Sequence, residues 1–405
     1  MTARPIDLKG RRRPLYAAAA LVLVMVAVLA TAGCEDVIHS NAQDLVIVKL
    51  NHDGSTAWIK TIATGKNYNI YDALQTSECG YALAGLVSTP LCNPQCKGYE
   101  NTTPVIIRLS NNGEITSELG FPSEMKDKSG HLYPILGLVQ TPDNGFYAIS
   151  ETGTILSVSQ SGTSRGSRFV DTNPLNKTHI ASIIRTRDGG SIISGFTVPC
   201  ESLPNGNTLC PTLSTEFIGF VEKLDQAGNT TWSRFYPSNE FSQVNRIIQL
   251  NDDNGYAGVM SRNRTSILVL LDKNGMIVNS SPISVGALRY NLLPGTDGFS
   301  VLIHPVFNNT YPLYNYDNHG TMTNTVMINF SNEPDAVIAL SDPGYLSVNI
   351  FSVRKMNGNG EQIWDRPITS LLNPASYSHI NKIIETSDNG YLIVLGIEKQ
   401  GSLYK

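Results

Sequence analysis

Two histidines, four loop cysteines and a recurring set of turn carboxylates are the residues here whose types and spacing suit chemistry. His179 and His379 each stand seven residues before a threonine, Thr186 and Thr386, that opens a Thr-x-Asp-x-Gly segment, so they occupy one position in two copies of a repeat. An imidazole changes charge near neutral pH, which suits it to ligand binding or proton transfer. The same position also serves as a polar cap on an inner strand, and that structural role is the simpler expectation. Cys92 and Cys96 fall in one long insertion, Val87–Thr103, and Cys200 and Cys210 in another, Val198–Glu216. Each pair is close enough in sequence to staple its own loop by a disulfide, provided the chain is exported. One zinc shared by all four would need two separate loops to converge, so no metal site is assigned. Cys79 lies in a turn away from both insertions and is expected to be unpaired or buried.

The carboxylates Asp143, Asp188, Asp253 and Asp388 form a set, but each precedes Asn-Gly or Gly-Gly. Such tripeptides make turns, since Asp hydrogen-bonds nearby backbone while Gly and Asn accept positive φ. Asp272 and Asp317 open turns of a second series. No calcium-loop spacing, Gly-x-Ser-x-Gly, phosphate loop or His-Glu-x-x-His is present, so no catalytic residue and no cofactor is assigned.

The elements that position these residues are read from two recurring hairpins. In the first, an apolar strand runs into a tight turn with glycine at a fixed place: Gly54, Gly113, Gly162, Gly228, Gly275, Gly320 and Gly360. The chain's three tryptophans, Trp58, Trp232 and Trp364, each follow one of these glycines by four residues. That regularity marks a strand with one face against a neighbouring sheet. The second hairpin runs through Leu74–Ala84, Val139–Phe146, Ile184–Gly190 and Ile384–Tyr391, with degenerate copies around Gly255, Gly298 and Gly344. Seven copies of each give about 28 strands at roughly 40–65 residues per unit, the signature of a propeller. The expected fold is all-β, a seven-bladed β-propeller of four-stranded blades. The chain enters on the third and fourth strands of a blade and ends on its first and second, so the two termini close one blade together and remove the exposed edges.

These same residues carry a resemblance. Lys-Leu-Asp-x-x-Gly-x-x-Trp, intact at Lys223–Trp232, and Thr-x-Asp-Gly-Gly, at Thr186–Gly190, resemble a repeat of prokaryotic surface lipoproteins, over most of residues 44–400. The first motif is also similar to repeats of quinoprotein-type propellers, although the adjacent cysteine pair of quinone-dependent dehydrogenases is absent. The resemblance implies a fold and little about activity.

The N-terminus reads as an export signal. Arg4, Lys9 and Arg11–Arg13 precede an apolar run from Leu15 to Ala32. The following Ala30-Thr31-Ala32-Gly33-Cys34 resembles the lipobox of prokaryotic lipoproteins, departing from it at Thr31, where that family has Leu. The resemblance implies lipidation of Cys34 as the new N-terminus. The expected organisation is a signal peptide over 1–33, the lipidated Cys34 with a tether to residue 43, and a single propeller over 44–405. The first 33 residues hold five Lys/Arg and one Asp, so the remainder, with 25 basic and 33 acidic residues, is more acidic than the whole chain's −4. That sign excludes nucleic acid as a partner.

Seven Asn-x-Ser/Thr triplets (at Asn101, Asn176, Asn229, Asn263, Asn279, Asn308 and Asn329) suit glycans in an exported protein, and equally follow from composition. Tyr311, Tyr314 and Tyr316 read as strand packing before they read as a sugar ledge. The tight turns share one face of the disc and the two insertions stand on the other, where binding residues concentrate. The function expected is a non-catalytic cell-envelope lipoprotein, exported and anchored in a membrane by its lipid, monomeric, binding a protein or glycan partner through the long-loop face. The alternative is a hydrolase or lyase acting on extracellular polymers from the central channel.

Overall fold

The computed structural model describes residues 43–90, 99–127, 130–170, 176–202, 208–209, 217–236, 243–251, 255–262, 265–283, 289–304, 309–368 and 377–398. They form seven four-stranded antiparallel sheets and one two-residue ladder, with no α-helix among the described residues. Blade 1 runs through Asn67–Gln75, Tyr81–Pro90, Tyr99–Leu109 and Ile115–Gly120. Blade 2 runs from Ile135 to Phe169, blade 3 from Lys177 to Tyr236, and blade 4 from Gln243 to Pro282. Blade 5 spans Arg289–Asn329 and blade 6 Ala336–Pro367. Blade 7 joins Tyr377–Glu385 and Tyr391–Glu398 to Gln43–Leu50 and Thr56–Ile62, so the two ends of the chain do close one sheet. The first strands of successive blades contact one another all the way round.

Seven apolar clusters hold the ring, one at each blade interface. The period-2 geometry of a strand explains how one blade serves two of them. Leu45 and Ile47 pack towards blade 1, while Val46, Val48 and Leu50 pack towards blade 6. The middle strands are therefore buried on both faces and read as largely apolar runs, as in Phe146–Ser150, whereas the innermost strands keep exposed and polar positions, as in Lys177–Arg185. The outer strands alternate exposed and covered positions, as in Ile115–Gly120.

The tryptophans join neighbouring blades. Trp58, Trp232 and Trp364 stand on the fourth strands of blades 7, 3 and 6 and are partly buried. Each reaches the next blade, where its ring meets a tyrosine with centroids 5.9–6.1 Å apart: Tyr81, Tyr256 and Tyr391. Each also covers that blade's turn glycine. Gly275 has φ +79°, and a Cβ there would lie 2.6 Å from the Trp232 ring. The fixed glycine of the repeat is thus required twice, by its backbone and by its roof.

A second link also follows the ring. The Ser77 amide donates to Gln140 Oε1 (2.8 Å), that of Arg187 to Gln249 (2.9 Å), that of Ser387 to Gln75 (2.6 Å) and that of Ser341 to Glu385 (2.7 Å). In each case a side chain at the end of one first strand satisfies the turn of the preceding blade. Between blades 2 and 3 the donor position is Pro142, which has no N–H, and the acceptor position is Arg185, which has no acceptor. Both halves are missing together.

Candidate ligand pocket on the long-loop face

The motif lysine serves the fold. Lys223 is 6% exposed, and its Nζ donates to Thr186 Oγ1 (3.1 Å), Asp188 Oδ1 (3.0 Å) and Leu224 O (2.8 Å). Lys49 makes the same return to Asp388 and Leu50, and Lys355 to Asp342. The Lys of one hairpin thereby locks the Asp turn of the other within a single blade. The Asp turns are closed further by a threonine. Thr141, Thr186 and Thr386 donate to Asp143, Asp188 and Asp388 at 2.5 Å. Burial pushes the Asp388 carboxyl up, but the hydrogen bonds from Thr386, Lys49 and Gly390 outweigh it and hold the group at about 2. These carboxylates are therefore structural. Asp253 lies outside the described residues.

The two histidines share a position in the repeat but not a setting. His179 stacks on Phe196 (centroids 4.9 Å, planes 18° apart), which stacks in turn on Phe217 at 5.0 Å. His379 pairs with Gly396 across the strand and lies over it, so closely that a Cβ there would be 2.2 Å from the ring. They stand on blades 3 and 7 and are not brought together. Of the cysteines, Cys79 is exposed and free, with φ +62° at the place where the other turns use Asn or Gly. Cys200 is buried, at 7% exposure. Cys34, Cys92, Cys96 and Cys210 lie outside the described residues.

A cavity of about 600 Å³ opens on the long-loop face between blades 4, 5 and 6. Neither histidine singled out in the sequence is among its lining residues. From blade 4 come Asn245 and Arg246, at the start of the first strand, with Ser261 and Ser266 flanking the loop between the second and third. Blade 5 supplies Tyr290, Asn291 and His304, and the connection into blade 6 supplies Glu333, Pro334 and Asp335. Two features of the ring make the opening. A bulge between Val244 and Arg246, repeated at the same place in blades 1, 2, 3 and 7, leaves Asn245 unpaired in the ladder, so that here successive side chains both reach the cavity. The first strand of blade 6, Ala336–Ala339, has only four residues against nine in blades 1, 3 and 7. The Glu333–Asp335 connection occupies the height that a longer strand would have filled.

Polar groups of the cavity hold one another in place. Asn245 Nδ2 donates to Ser261 Oγ at 2.6 Å, and the Asn291 amide meets His304 Nε2 at 3.1 Å. His304 Nδ1 is 3.6 Å from Glu333 Oε1, and its ring sits edge-on to Tyr311. Burial raises the Asp335 carboxyl, the Ile350 backbone bond opposes it, and Glu333 adds to the rise while His379 resists it. Burial also raises the Tyr290 phenol, against hydrogen bonds with Asn245 and Ser266 and the charge of Arg246. Arg246 is open to the cavity, yet the surrounding wall still lowers its pKa by desolvation. The arrangement sets a cation, a phenol, two carboxyls and several neutral donors and acceptors around one small volume.

The Glu333–Asp335 pair in the cavity wall is absent from the candidates that the sequence offers. Its signal was modest: Asn-Glu-Pro-Asp in a blade connection, one of the segments that must lie on the long-loop face. Tyr311 is buried and Tyr314 and Tyr316 are partly buried in the clusters on either side of blade 5, so they pack the strand.

No protein-family model matches the chain, and no curated protein matches it significantly. Solved structures of similar architecture include the WD40 domain of Neurospora crassa Pan2, at 8% identity over 82% of this chain and 89% of that one, TM-score 0.49. A catalytically inactive virginiamycin B lyase of Staphylococcus aureus with quinupristin matches at 12% identity, over 86% and 99%, TM-score 0.49. BamB of Moraxella catarrhalis matches at 12% identity, over 80% and 98%, TM-score 0.41. All three are likenesses of fold alone.

Proposed function

We propose that this protein is an exported, lipid-anchored binding module that takes its ligand in the cavity on the long-loop face. One observation carries the reading: a polar cavity of about 600 Å³, lined from three blades, stands on the face opposite the short hydrogen-bonded turns. Concave sites with a few convergent polar groups on a rigid scaffold are where small ligands bind. Cys34 supplies the anchor, a short tether leads to the first strand, and disulfides join Cys92 to Cys96 and Cys200 to Cys210, each within its own insertion. The partner is a protein or a glycan presenting a small polar group.

The anchor is tested by expressing the full chain and its Cys34→Ser variant with a labelled fatty acid, then fractionating. Label and membrane retention lost in the variant support the reading. An unlabelled wild-type chain in the soluble fraction refutes it. Non-reducing mass spectrometry of the same material reports the loop disulfides.

A second reading, an enzyme acting on extracellular polymers, is favoured by a single feature. Glu333 and Asp335 flank Pro334 in the cavity wall, and the Asp335 carboxyl is raised, as an acid catalyst's would be. Turnover of a polysaccharide or peptide panel that is lost in Asp335→Asn would establish it.

A further inference from the structure

We propose that the cavity accepts a polyhydroxy ligand bearing one carboxylate, a sugar acid of the uronate type. The inference rests on the reading of this cavity as a ligand site and names the class of ligand.

The first observation is Arg246. Its guanidinium lines the cavity and is open to it, yet among the described residues no carboxylate pairs with it. Three other arginines of the ring pair with carboxylates: Arg354 with Asp365 (2.9 Å), Arg168 with Glu222 (3.4 Å), Arg165 with Asp143 (2.5 Å). A recessed cation keeps its cost of desolvation until an anion arrives, and the planar fork of Arg matches a carboxylate with two parallel bonds. Tyr290, on the neighbouring blade, stands close enough to feel that charge and offers a phenol beside the same anion.

The second observation is what surrounds the cation. Asn245, Asn291 and Ser266 are neutral groups that both donate and accept, which is the chemistry of sugar hydroxyls. The carboxyl of Asp335 adds a further hydroxyl partner. It also limits the anion, because a phosphate or sulfate ester with more charge would meet repulsion from the Glu333–Asp335 side of the cavity. One carboxylate at Arg246 and hydroxyls elsewhere satisfy both sides. The volume, about 600 Å³, falls within the range of cavities that hold small organic ligands.

The test uses purified full-length protein in detergent, titrated calorimetrically with D-glucuronate, D-galacturonate, D-glucose and glycine. A uronate should bind at least tenfold more tightly than glucose. Arg246→Gln should weaken the uronate by about 10–100-fold, the value of a charge-assisted bidentate contact, and leave glucose unchanged. Arg246→Lys should restore part of the loss. The unliganded melting temperature of Arg246→Gln should equal or exceed that of the parent, since an unpaired recessed charge is removed. Glucose binding as tightly as glucuronate overturns the acidic class but leaves a ligand site, provided Asn291→Ala weakens it. Glycine binding best replaces the sugar acid with an amino acid. If no probe binds, the uronate assignment fails. If Arg246→Gln also melts well below the parent, the cavity is structural and the underlying binding function fails with it.

Discussion

Replacing Trp232 by alanine tests how the ring is held together. A tryptophan buries about 150–250 Å² when fully covered. Trp232 is partly buried, between Gly275 and the edge of Tyr256, so we take about 130 Å² of apolar surface withdrawn from water. At about 25 cal/mol per Å² that is about 3 kcal/mol. The edge-to-face contact with Tyr256 adds about 1 kcal/mol, and the residual compactness of the unfolded chain removes a similar amount. Water can enter the vacated site from the rim, so no dry-cavity penalty is added. The expected loss is about 3 kcal/mol, at the lower end of the range for fully buried tryptophans. Urea denaturation followed by circular dichroism reads it as a shift in midpoint at unchanged slope. Trp58→Ala and Trp364→Ala should each lose a similar amount, because they repeat the geometry at the blade 7/1 and 6/7 interfaces. A loss below about 1 kcal/mol for Trp232, or values differing by more than about 2 kcal/mol among the three, would refute the shared roof-and-glycine packing.

Two further outcomes follow from the turns. Asp388 sits at about 2 in the folded chain, below its unfolded value of about 3.9, so its contribution is present above pH 4 and fades as pH falls towards 2. The melting temperature of Asp388→Asn should therefore lie below the parent's at pH 5 and meet it near pH 2, and a gap constant with pH would contradict the pairing. Asp188 is 61% exposed and its partner Lys223 is buried. Asp188→Ala, which strands the ammonium, should then cost about 2 kcal/mol, and Lys223→Met, which leaves an aspartate that water can solvate, about 1 kcal/mol or less. The reverse order in chemical denaturation would show that the lysine's packing, not its charge, matters.

What the sequence determined by itself was the ring. Local turn chemistry at Gly54 or Gly275 and period-2 runs such as Val46–Val48 repeat because every blade meets the same two neighbours, so the pattern is legible in one dimension. The closure of blade 7 followed from the phase of that pattern alone. The turn aspartates were legible too, since their role is met within a few residues. Only the tertiary structure decided the cavity. Asn245, Arg246, Tyr290, Asn291, Glu333 and Asp335 come from three blades and share no motif. They meet because the first-strand bulge of blade 4 sets Asn245 and Arg246 side by side and the four-residue first strand of blade 6 breaks the ring's regularity next to them. Likewise, His179 and His379 look equivalent in the repeat, yet one faces Phe196 and the other Gly396. A repeat fixes where the backbone goes, whereas the surroundings of a side chain depend on residues from other strands that the repeat leaves free to vary.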